Sequence, residues 1–315
     1  MKIKPLAAAC ALALTAALGS QSALAEDATC KTVRFADVGW SDIAATTGMA
    51  SVVLEGLGYK PTVTIASIPI TFAGMKKKQI DVFLGYWNPS MTPQIEPFVK
   101  AGDIKVLDTP NLTGAKYTLA VPTYLYEKGL KTFADIAKFE KELGGKIYGI
   151  EPGNDGNALI AGMIKDNKFG LKKFKMIESS EAGMLVEAQR AIKDQKAIVF
   201  LGWEPHPMNV QMKMSYLAGG DDVFGPNLGE AKVYTAIPPS YEQRCPNVAT
   251  VLKNLQFTLD MENQVMGPIL KKVNPNKAAA DYLKKNPGAL DKWLAGVKTF
   301  DGKDGLAAVQ AALKK

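Results

Sequence analysis

Three of the chain's four tryptophans follow short apolar runs that are typical of β-strands. Trp40 ends the run VRFADVGW, Trp87 ends DVFLGYW, and Trp203 ends AIVFLGW. In α/β proteins the ligand crevice lies beyond the carboxyl ends of the strands, so the three indoles are predicted to meet in one crevice. Their faces would suit a cation that cannot hydrogen-bond, above all a quaternary ammonium group. The alternative is that they are ordinary core tryptophans.

Residue types for other chemistry are scarce. His206 is the only histidine and lies between two prolines in WEPHPM. One histidine cannot build a multi-histidine metal site, and the patterns GxSxG, HExxH, CxxC and the P-loop are missing. We therefore interpret His206 as a structural loop residue and expect no cofactor and no enzymatic activity, although carboxylate catalysis stays open.

Polar residues accompany the predicted crevice. Asp42 follows Trp40 in GWSD, and Asn154 lies in the turn EPGND before a predicted helix. Each could either cap a helix or face a ligand, since short polar side chains satisfy the free amides of a helix start. Ser41 is expected to cap the first helix, which leaves Asp42 free for the ligand. Tyr117 opens a strand and is either a wall residue or a contact.

The first 25 residues, MKIKPLAAACALALTAALGSQSALA, are typical of a secretory signal cleaved after Ala25. A lipid anchor at Cys10 is disfavoured, because the apolar run continues past it and no leucine lies three positions before it. The exported chain keeps only Cys30 and Cys245. In an oxidising compartment they are expected to form one disulfide; two free buried thiols are the alternative.

Composition argues against a nucleic-acid partner or a membrane span. After removal of the signal, 36 basic and 31 acidic residues remain, a mild excess that is spread along the chain. The lysine runs at 76–78 and 172–173 contain no interleaved aromatic residues and are expected to be solvated helix faces. No second long apolar run follows the signal, which predicts a soluble exported protein.

A repeated pattern predicts two lobes around a cleft. KKKQIDVFLGYWNPSM at 76–91 is similar to IKDQKAIVFLGWEPHPM at 192–208, down to the order of glycine, tryptophan and proline. One unit in each lobe would aim Trp87 and Trp203 at a shared cleft; a generic strand-to-loop junction is the alternative. Apolar runs also alternate with amphipathic stretches, which indicates α/β architecture.

The predicted lobes are discontinuous. A disulfide between the ends of the exported chain would place both ends in lobe I, predicted to comprise residues 26–113 and 219–315. Lobe II is predicted to comprise residues 114–218. The chain then crosses between lobes twice, and the two crossings form a hinge.

The motifs GWSD, YWNP, EPGND and GWEPHPM, with a tyrosine at the first crossing, together resemble the choline-binding periplasmic proteins of ABC transporters. These belong to the quaternary-amine binding family that includes glycine betaine binders, and the likeness covers essentially the whole exported chain. It implies a two-lobe periplasmic binding protein fold (type II-like) that closes on its ligand. It also implies a monomer that delivers choline to a membrane permease and binds acetylcholine or betaine more weakly.

The resemblance also implies a site. An aromatic box would enclose the ammonium group, polar residues would take the hydroxyl end of choline, and the disulfide would join Cys30 to Cys245. The implied box is Trp40, Trp87, Tyr117 and Trp203, and the implied polar residues are Asp42 and Asn154. A binder of glycine betaine or carnitine is an alternative, although Asp42 would repel their carboxylates. A periplasmic enzyme acting on choline esters is the other alternative.

Overall fold

Strands and helices alternate along most of the chain, as its apolar runs predict. The computed structural model describes residues 26–315, so the predicted signal segment and Cys10 lie outside the described residues. The strands are Thr32–Asp37 (β1), Lys60–Ile65 (β2), Phe83–Asn88 (β3), Lys105–Val106 (β4), Leu112–Pro122 (β5), Lys146–Tyr148 (β6), Lys175–Ile177 (β7), Phe200–Glu204 (β8), Met214–Tyr216 (β9) and Glu230–Ile237 (β10).

The helices range from single turns to a 16-residue helix that starts beside the predicted site. They are Ser41–Gly56 (α1), Ile68–Lys76 (α2), Thr92–Lys100 (α3), Thr123–Glu127 (α4), Glu140–Leu143 (α5), Asp155–Lys165 (α6), Glu181–Lys193 (α7), Met208–Gln211 (α8), Asp221–Phe224 (α9), Pro226–Gly229 (α10), Tyr241–Arg244 (α11), Pro246–Asn254 (α12), Leu259–Leu270 (α13), Pro275–Lys285 (α14), Gly288–Trp293 (α15) and Gly305–Leu313 (α16). Tighter 3₁₀ turns occupy Ala28–Lys31, Phe133–Phe139 and Lys168–Lys173. Within residues 26–315, no helix is long and apolar enough to cross a membrane.

The strands form a small sheet and a large one. β1 and β2 pair in parallel, and the large sheet has the order β3–β10–β5–β8–β6–β7, with β4 on β10 and β9 on β5. The small sheet adjoins the large one, because the Ala36 amide donates to the Val82 carbonyl just before β3 at 2.9 Å. The parallel pairs and the helices that connect them give the α/β character that the sequence predicts.

The chain folds into two lobes joined through the middle of the large sheet. We call the part built on β1–β4 and β10 lobe I, and the part built on β5–β9 lobe II. β5 and β10 pair antiparallel where the lobes meet. Boundaries at 113/114 and 218/219 stay a prediction. The ring centroid of Phe224 in α9 lies 5.8 Å from that of Phe133 in lobe II, so α9 still packs against lobe II. We therefore propose that the chain returns to lobe I in β10 rather than at residue 219.

Helix α1 forms the centre of lobe I and fixes the position of the site residues at its start. It packs against α13, α14 and α16. Small residues allow this close approach: a Cβ on Gly48 would lie 2.9 Å from the Pro275 carbonyl oxygen, and one on Gly56 would lie 3.1 Å from the Val309 Cα. Contacts this short exclude larger side chains, so α1 is held at close range on two sides.

A disulfide joins Cys30 to Cys245, which are 215 positions apart in the sequence and have 5.5 Å between their Cα atoms. The bond links the turn before β1 to the residue before α12. The predicted pairing is therefore confirmed, and the alternative of two free thiols is wrong. Both ends of the described chain lie in lobe I.

Candidate ligand-binding site

A small buried pocket lies where the two lobes meet. Its empty space amounts to about 260 Å³, including the part that is open to solvent. It is lined by Trp40, Asp42, Trp87, Tyr117, Ile150, Asp155 and Trp203. Five of the six residues that the sequence singled out for the ligand therefore meet in one pocket; the sixth, Asn154, lies directly behind it.

The large sheet positions three of the aromatic rings. Tyr117 in β5 lies opposite Trp203 in β8 in the antiparallel register, and Trp87 lies in β3, separated from β5 by β10. The Tyr117 ring centroid is 5.9 Å from that of Trp87 and 6.3 Å from that of Trp203, with interplanar angles of 59° and 80°. Because the rings are tilted rather than stacked, they form adjoining walls and not a column.

Trp40 supplies the fourth aromatic wall from the start of α1. A turn at Gly39, whose φ is 89°, separates it from β1, and the Gly39 amide donates to Asp37 Oδ1 at 2.7 Å. The indole N–H of Trp40 donates to Glu151 Oε1 of lobe II at 2.7 Å. Burial raises the pKa of Glu151 and this hydrogen bond lowers it in part, and the resulting pKa is about 7. A residue of lobe I is thus oriented by a carboxylate of lobe II.

Asp42 is buried in the pocket wall, and its Oδ1 has no hydrogen-bond partner among residues 26–315. Burial raises the pKa of this carboxyl well above its usual range, and the nearby charge of Glu181 raises it further. A buried carboxylate oxygen without a donor is costly, which is the situation that a hydroxyl or cationic ligand would relieve.

The start of α1 is capped from the other lobe. Glu181, the first residue of α7, accepts a hydrogen bond from the Ser41 amide at 2.8 Å. Its other oxygen lies 3.3 Å from His206 Nε2, and because His206 Nδ1 accepts from the Met208 amide, Nε2 carries the donated proton. The Ser41 hydroxyl instead donates to the sulfur of Met266. The expectation that Ser41 caps α1 is therefore wrong, because Glu181 occupies that place.

Asn154 caps helix α6. Its Oδ1 accepts from the Asn157 amide at 2.9 Å and from the Tyr117 hydroxyl at 3.0 Å, and its Nδ2 donates to Asp155 Oδ1 at 3.1 Å. Asn154 therefore orients one ring and one carboxylate of the pocket lining. Asp155 was missed by sequence reasoning, although it directly follows Asn154 in EPGND.

The charge lining the pocket is entirely acidic. Its lining includes two carboxylates and no lysine, arginine or histidine. Among the described residues, no group of three or more histidine, cysteine or acidic side chains is arranged to hold a metal ion. The arrangement can therefore enclose a small cation between aromatic faces, with carboxylates beside it.

Two lobes that close on such a pocket define a ligand-trapping binding protein. Residues 31–285 match the family described as the substrate binding domain of ABC-type glycine betaine transport systems. The match covers most of the chain, and the chain belongs to this family.

Solved structures agree in fold and sequence. A choline binding protein of an ABC transporter, in complex with choline, is 54% identical over 90% of this chain and 99% of its own, with a TM-score of 0.89. An unliganded, semi-closed form of an ABC-transporter choline binding protein gives 54% identity and a TM-score of 0.83. The lactococcal glycine betaine complex of OpuAC is 25% identical over 83% of this chain and 98% of its own, with a TM-score of 0.75.

A curated relative points the same way. The glycine betaine/carnitine transport binding protein GbuC of Listeria monocytogenes is 30% identical over 167 residues, which are 52% of this chain and 55% of that protein. The chain thus spans about half of this relative. The family is one of transport binding proteins rather than enzymes.

Proposed function

We propose that this protein captures choline in the periplasm and delivers it to the membrane permease of an ABC transporter. The observation that carries the proposal is the buried pocket, which combines four aromatic walls with charged lining residues that are all acidic. Trimethylammonium offers no hydrogen-bond donor, so aromatic faces are the protein's best partners for it. A cation–π contact contributes about 2 kcal/mol when it is desolvated, so four such contacts would approach the ~8 kcal/mol of micromolar binding.

The hydroxyl end of choline is assigned to Asp42 and Asn154. Asp42 Oδ1 lacks a donor in the described chain, and a choline hydroxyl would supply one. Asn154 Nδ2 donates one of its two hydrogens to Asp155, which leaves the second for a ligand oxygen. The similarity to a choline-bound protein at 54% identity supports this choice of ligand.

Glycine betaine is the second candidate, because relatives of this chain are named for it. Its carboxylate would enter a pocket that already contains Asp42 and Asp155 and no basic side chain. Like-charge contacts of this kind cost several kcal/mol in a desolvated site. We therefore propose that betaine and carnitine bind more weakly than choline.

Calorimetric titration with choline, acetylcholine, glycine betaine and carnitine tests the proposal. We expect choline to bind with a Kd of about a micromolar or below, and betaine and carnitine more weakly. Betaine binding tighter than choline would overturn the proposed ligand. The same samples, incubated with acetylcholine and assayed for released choline, are expected to show no turnover; hydrolysis would favour the enzyme alternative.

The remaining assignments concern the whole protein. We propose that it acts as a monomer, that residues 1–25 direct its export, and that ligand stabilises the closed arrangement of the lobes. Small-angle scattering with and without choline is expected to show one chain that becomes more compact on binding. An unchanged radius of gyration would contradict closure by the ligand.

A further inference from the structure

Asp155 provides the pocket with a second carboxylate, from the lobe opposite to that of Asp42. Asp155 is the first residue of α6 in lobe II, whereas Asp42 is the second residue of α1 in lobe I. Both line the same pocket, and they are 1% and 2% exposed. Closing the lobes therefore brings two carboxyl groups into one small space.

Neither carboxyl group is fully hydrogen-bonded by the protein. Asp155 Oδ1 accepts from Asn154, but within residues 26–315 its Oδ2 has no hydrogen-bond partner, and neither does Asp42 Oδ1. The Ser90 hydroxyl approaches Asp155 and lowers its pKa in part, although it falls short of hydrogen-bond geometry. Each lobe thus contributes to the pocket lining a carboxyl group with one oxygen that has no hydrogen-bond partner in residues 26–315.

No nearby group of the described chain neutralises these two carboxylates. Neither of them takes part in any ion pair there. The charged neighbours that act on Asp42 are acidic as well: Glu181 and Asp37 both raise its pKa. Burial raises the pKa of Glu262 in α13 well above its usual range, and the nearby charge of Asp42 raises it further. At a pH where both groups are ionised, the compensating charge therefore has to come with the ligand.

We propose that Asp155 is a specificity-determining residue, and that Asp42 and Asp155, one from each lobe, make closure depend on a ligand with net positive charge. This inference rests on the proposed function. Without a cation, closure forces two carboxylates out of water and toward each other. A quaternary ammonium alcohol compensates for that cost, whereas a zwitterion such as glycine betaine adds no net charge and brings a third carboxylate.

The two carboxylates have different tasks on this proposal. Asp42 accepts from the ligand hydroxyl, whereas Asp155 acts through its charge alone. Tetramethylammonium has the charge and lacks the hydroxyl, so it separates these tasks. Loss of the Asp155 charge should weaken choline and tetramethylammonium by the same factor, whereas loss of the Asp42 charge should weaken choline more.

The experiment is a calorimetric titration of Asp155→Asn with choline, tetramethylammonium and glycine betaine at pH 8. Asparagine is as favourable as aspartate near a helix start, so the variant is expected to fold. Opposite charges about 5 Å apart in a partly solvated site attract each other strongly. We therefore expect the affinities for choline and tetramethylammonium to fall by about tenfold or more. Betaine is expected to hold or gain affinity.

Three further measurements make the result decisive. Asp155→Glu keeps the charge and is expected to restore most of the preference for choline over betaine. Asp260→Asn removes an exposed acid from the first turn of α13, outside the pocket, and is expected to change no affinity. Scattering of ligand-free Asp155→Asn should show a more closed particle than wild type. An unchanged choline-to-betaine ratio in Asp155→Asn overturns the inference, whereas failure of the wild-type protein to bind choline overturns the proposed function instead.

Discussion

At the scale of single residues, the pocket offers a ligand two kinds of contact: the faces of aromatic rings and the oxygens of carboxylates. On the proposed function, the aromatic faces would surround the ammonium group without hydrogen bonds, and the carboxylate oxygens would accept from the hydroxyl end of the ligand. The fourth tryptophan shows the contrast: Trp293 is buried among lobe I helices, and its indole N–H donates to the Gln256 carbonyl. Trp293 does not line the pocket, whereas the other three tryptophans do.

Trp203→Ala should weaken choline binding by at least about tenfold, because one buried cation–π contact can exceed about 1.4 kcal/mol. Titration calorimetry measures the loss. Trp293→Phe is the matched control, since it removes an indole outside the pocket and should lower the free energy of unfolding while keeping affinity. Full affinity in Trp203→Ala would mean that its ring is only part of the core.

Asp42→Asn should separate choline from glycine betaine. The change keeps the shape of the side chain and removes the charge that favours a hydroxyl donor. A charge-assisted hydrogen bond contributes about 1.5–3 kcal/mol, so choline should weaken by about tenfold or more while betaine holds or strengthens. Parallel titrations of both ligands against wild type and variant provide the test. An equal loss for both ligands would assign selectivity to other residues.

At the scale of secondary-structure elements, the closed form is held by contacts that cross between lobes at the ends of helices. The amide of Ser41 at the start of α1 donates to Glu181 at the start of α7, and Trp40 donates to Glu151 in the loop before α6. A carboxylate at a helix start is favourable because of the free amides there. Closure thus completes the start of α1 as well as the pocket.

Glu181→Ala should destabilise the closed form, because the Ser41 amide and His206 both lose their acceptor. Leaving a buried donor unpaired costs about 1–3 kcal/mol, which predicts choline binding roughly five- to a hundredfold weaker. Glu187→Ala is the control, since Glu187 lies on the same helix, is 43% exposed and pairs only with Arg190. If Glu181→Ala binds choline like wild type, this cap does not distinguish the closed form from the open one.

Local pattern predicted most elements and few of the contacts between them. From its local pattern, the sequence predicts a strand at 32–38 and helices at 132–143 and 181–195. The strand and the second helix are observed as β1 and α7 within two residues, since each has a continuous apolar face and a polar start. The stretch 132–143 instead begins as a 3₁₀ turn, where Asp135 accepts from the Thr132 amide and hydroxyl. The sequence did not predict strand β9, because three residues are too few to show an alternating apolar pattern. Their extended conformation depends on pairing with β5.

The same limit applied to the site. Of the residues that the sequence singled out by an aromatic or motif signature, five line the pocket and Asn154 contacts two of the lining residues. Glu151 and Glu181 were not singled out, because their partners Trp40 and Ser41 lie 111 and 140 positions away in the sequence. Spacing along one chain cannot indicate a contact that exists only when two lobes close.

At the scale of the whole molecule, stability depends on the protonation of buried carboxyl groups and on one disulfide bond. Burial raises the pKa of several carboxyl groups around the pocket, to about 6 for Asp37 and Asp155 and about 7 for Glu151. The disulfide joins the start of lobe I to its return segment around the whole of lobe II. Each feature has a measurable consequence.

Choline affinity should fall as pH is lowered from 7 to 5. A carboxyl with a pKa of about 6 becomes protonated in that range, and if the cation binds only the ionised form, affinity falls about tenfold for one such group. The stability of the ligand-free protein should depend on pH in the opposite direction and rise as pH is lowered. Because these folded-state pKa values are raised, their contribution to stability is complete below about pH 4 and is lost as pH rises through 6 and 7.

Thermal unfolding can be measured from pH 8 to pH 5, with and without saturating choline. The Tm of the ligand-free protein should then increase as the pH is lowered. The choline-induced increase in Tm should shrink over the same range. A choline affinity that does not change between pH 8 and 5 would contradict ionised carboxylates at the site.

Removal of the disulfide should lower stability and spare the pocket. A loop of 215 residues corresponds to about 5 kcal/mol in the chain-entropy account of disulfides. Urea unfolding of the Cys30→Ser, Cys245→Ser double variant measures the loss, and choline titration in the absence of urea should give the wild-type affinity. Comparable unfolding midpoints for the two proteins would show that the link contributes little.

The hydrogen bond between Trp40 and Glu151 also makes the protein its own spectroscopic reporter. An indole N–H that gains a carboxylate acceptor shifts in an NMR spectrum, and Trp40 gains one only when the lobes meet. Trp293 keeps its acceptor within lobe I and serves as an internal reference. With four indole signals in the whole chain, the ratio of bound to free protein could be followed in real time without a label.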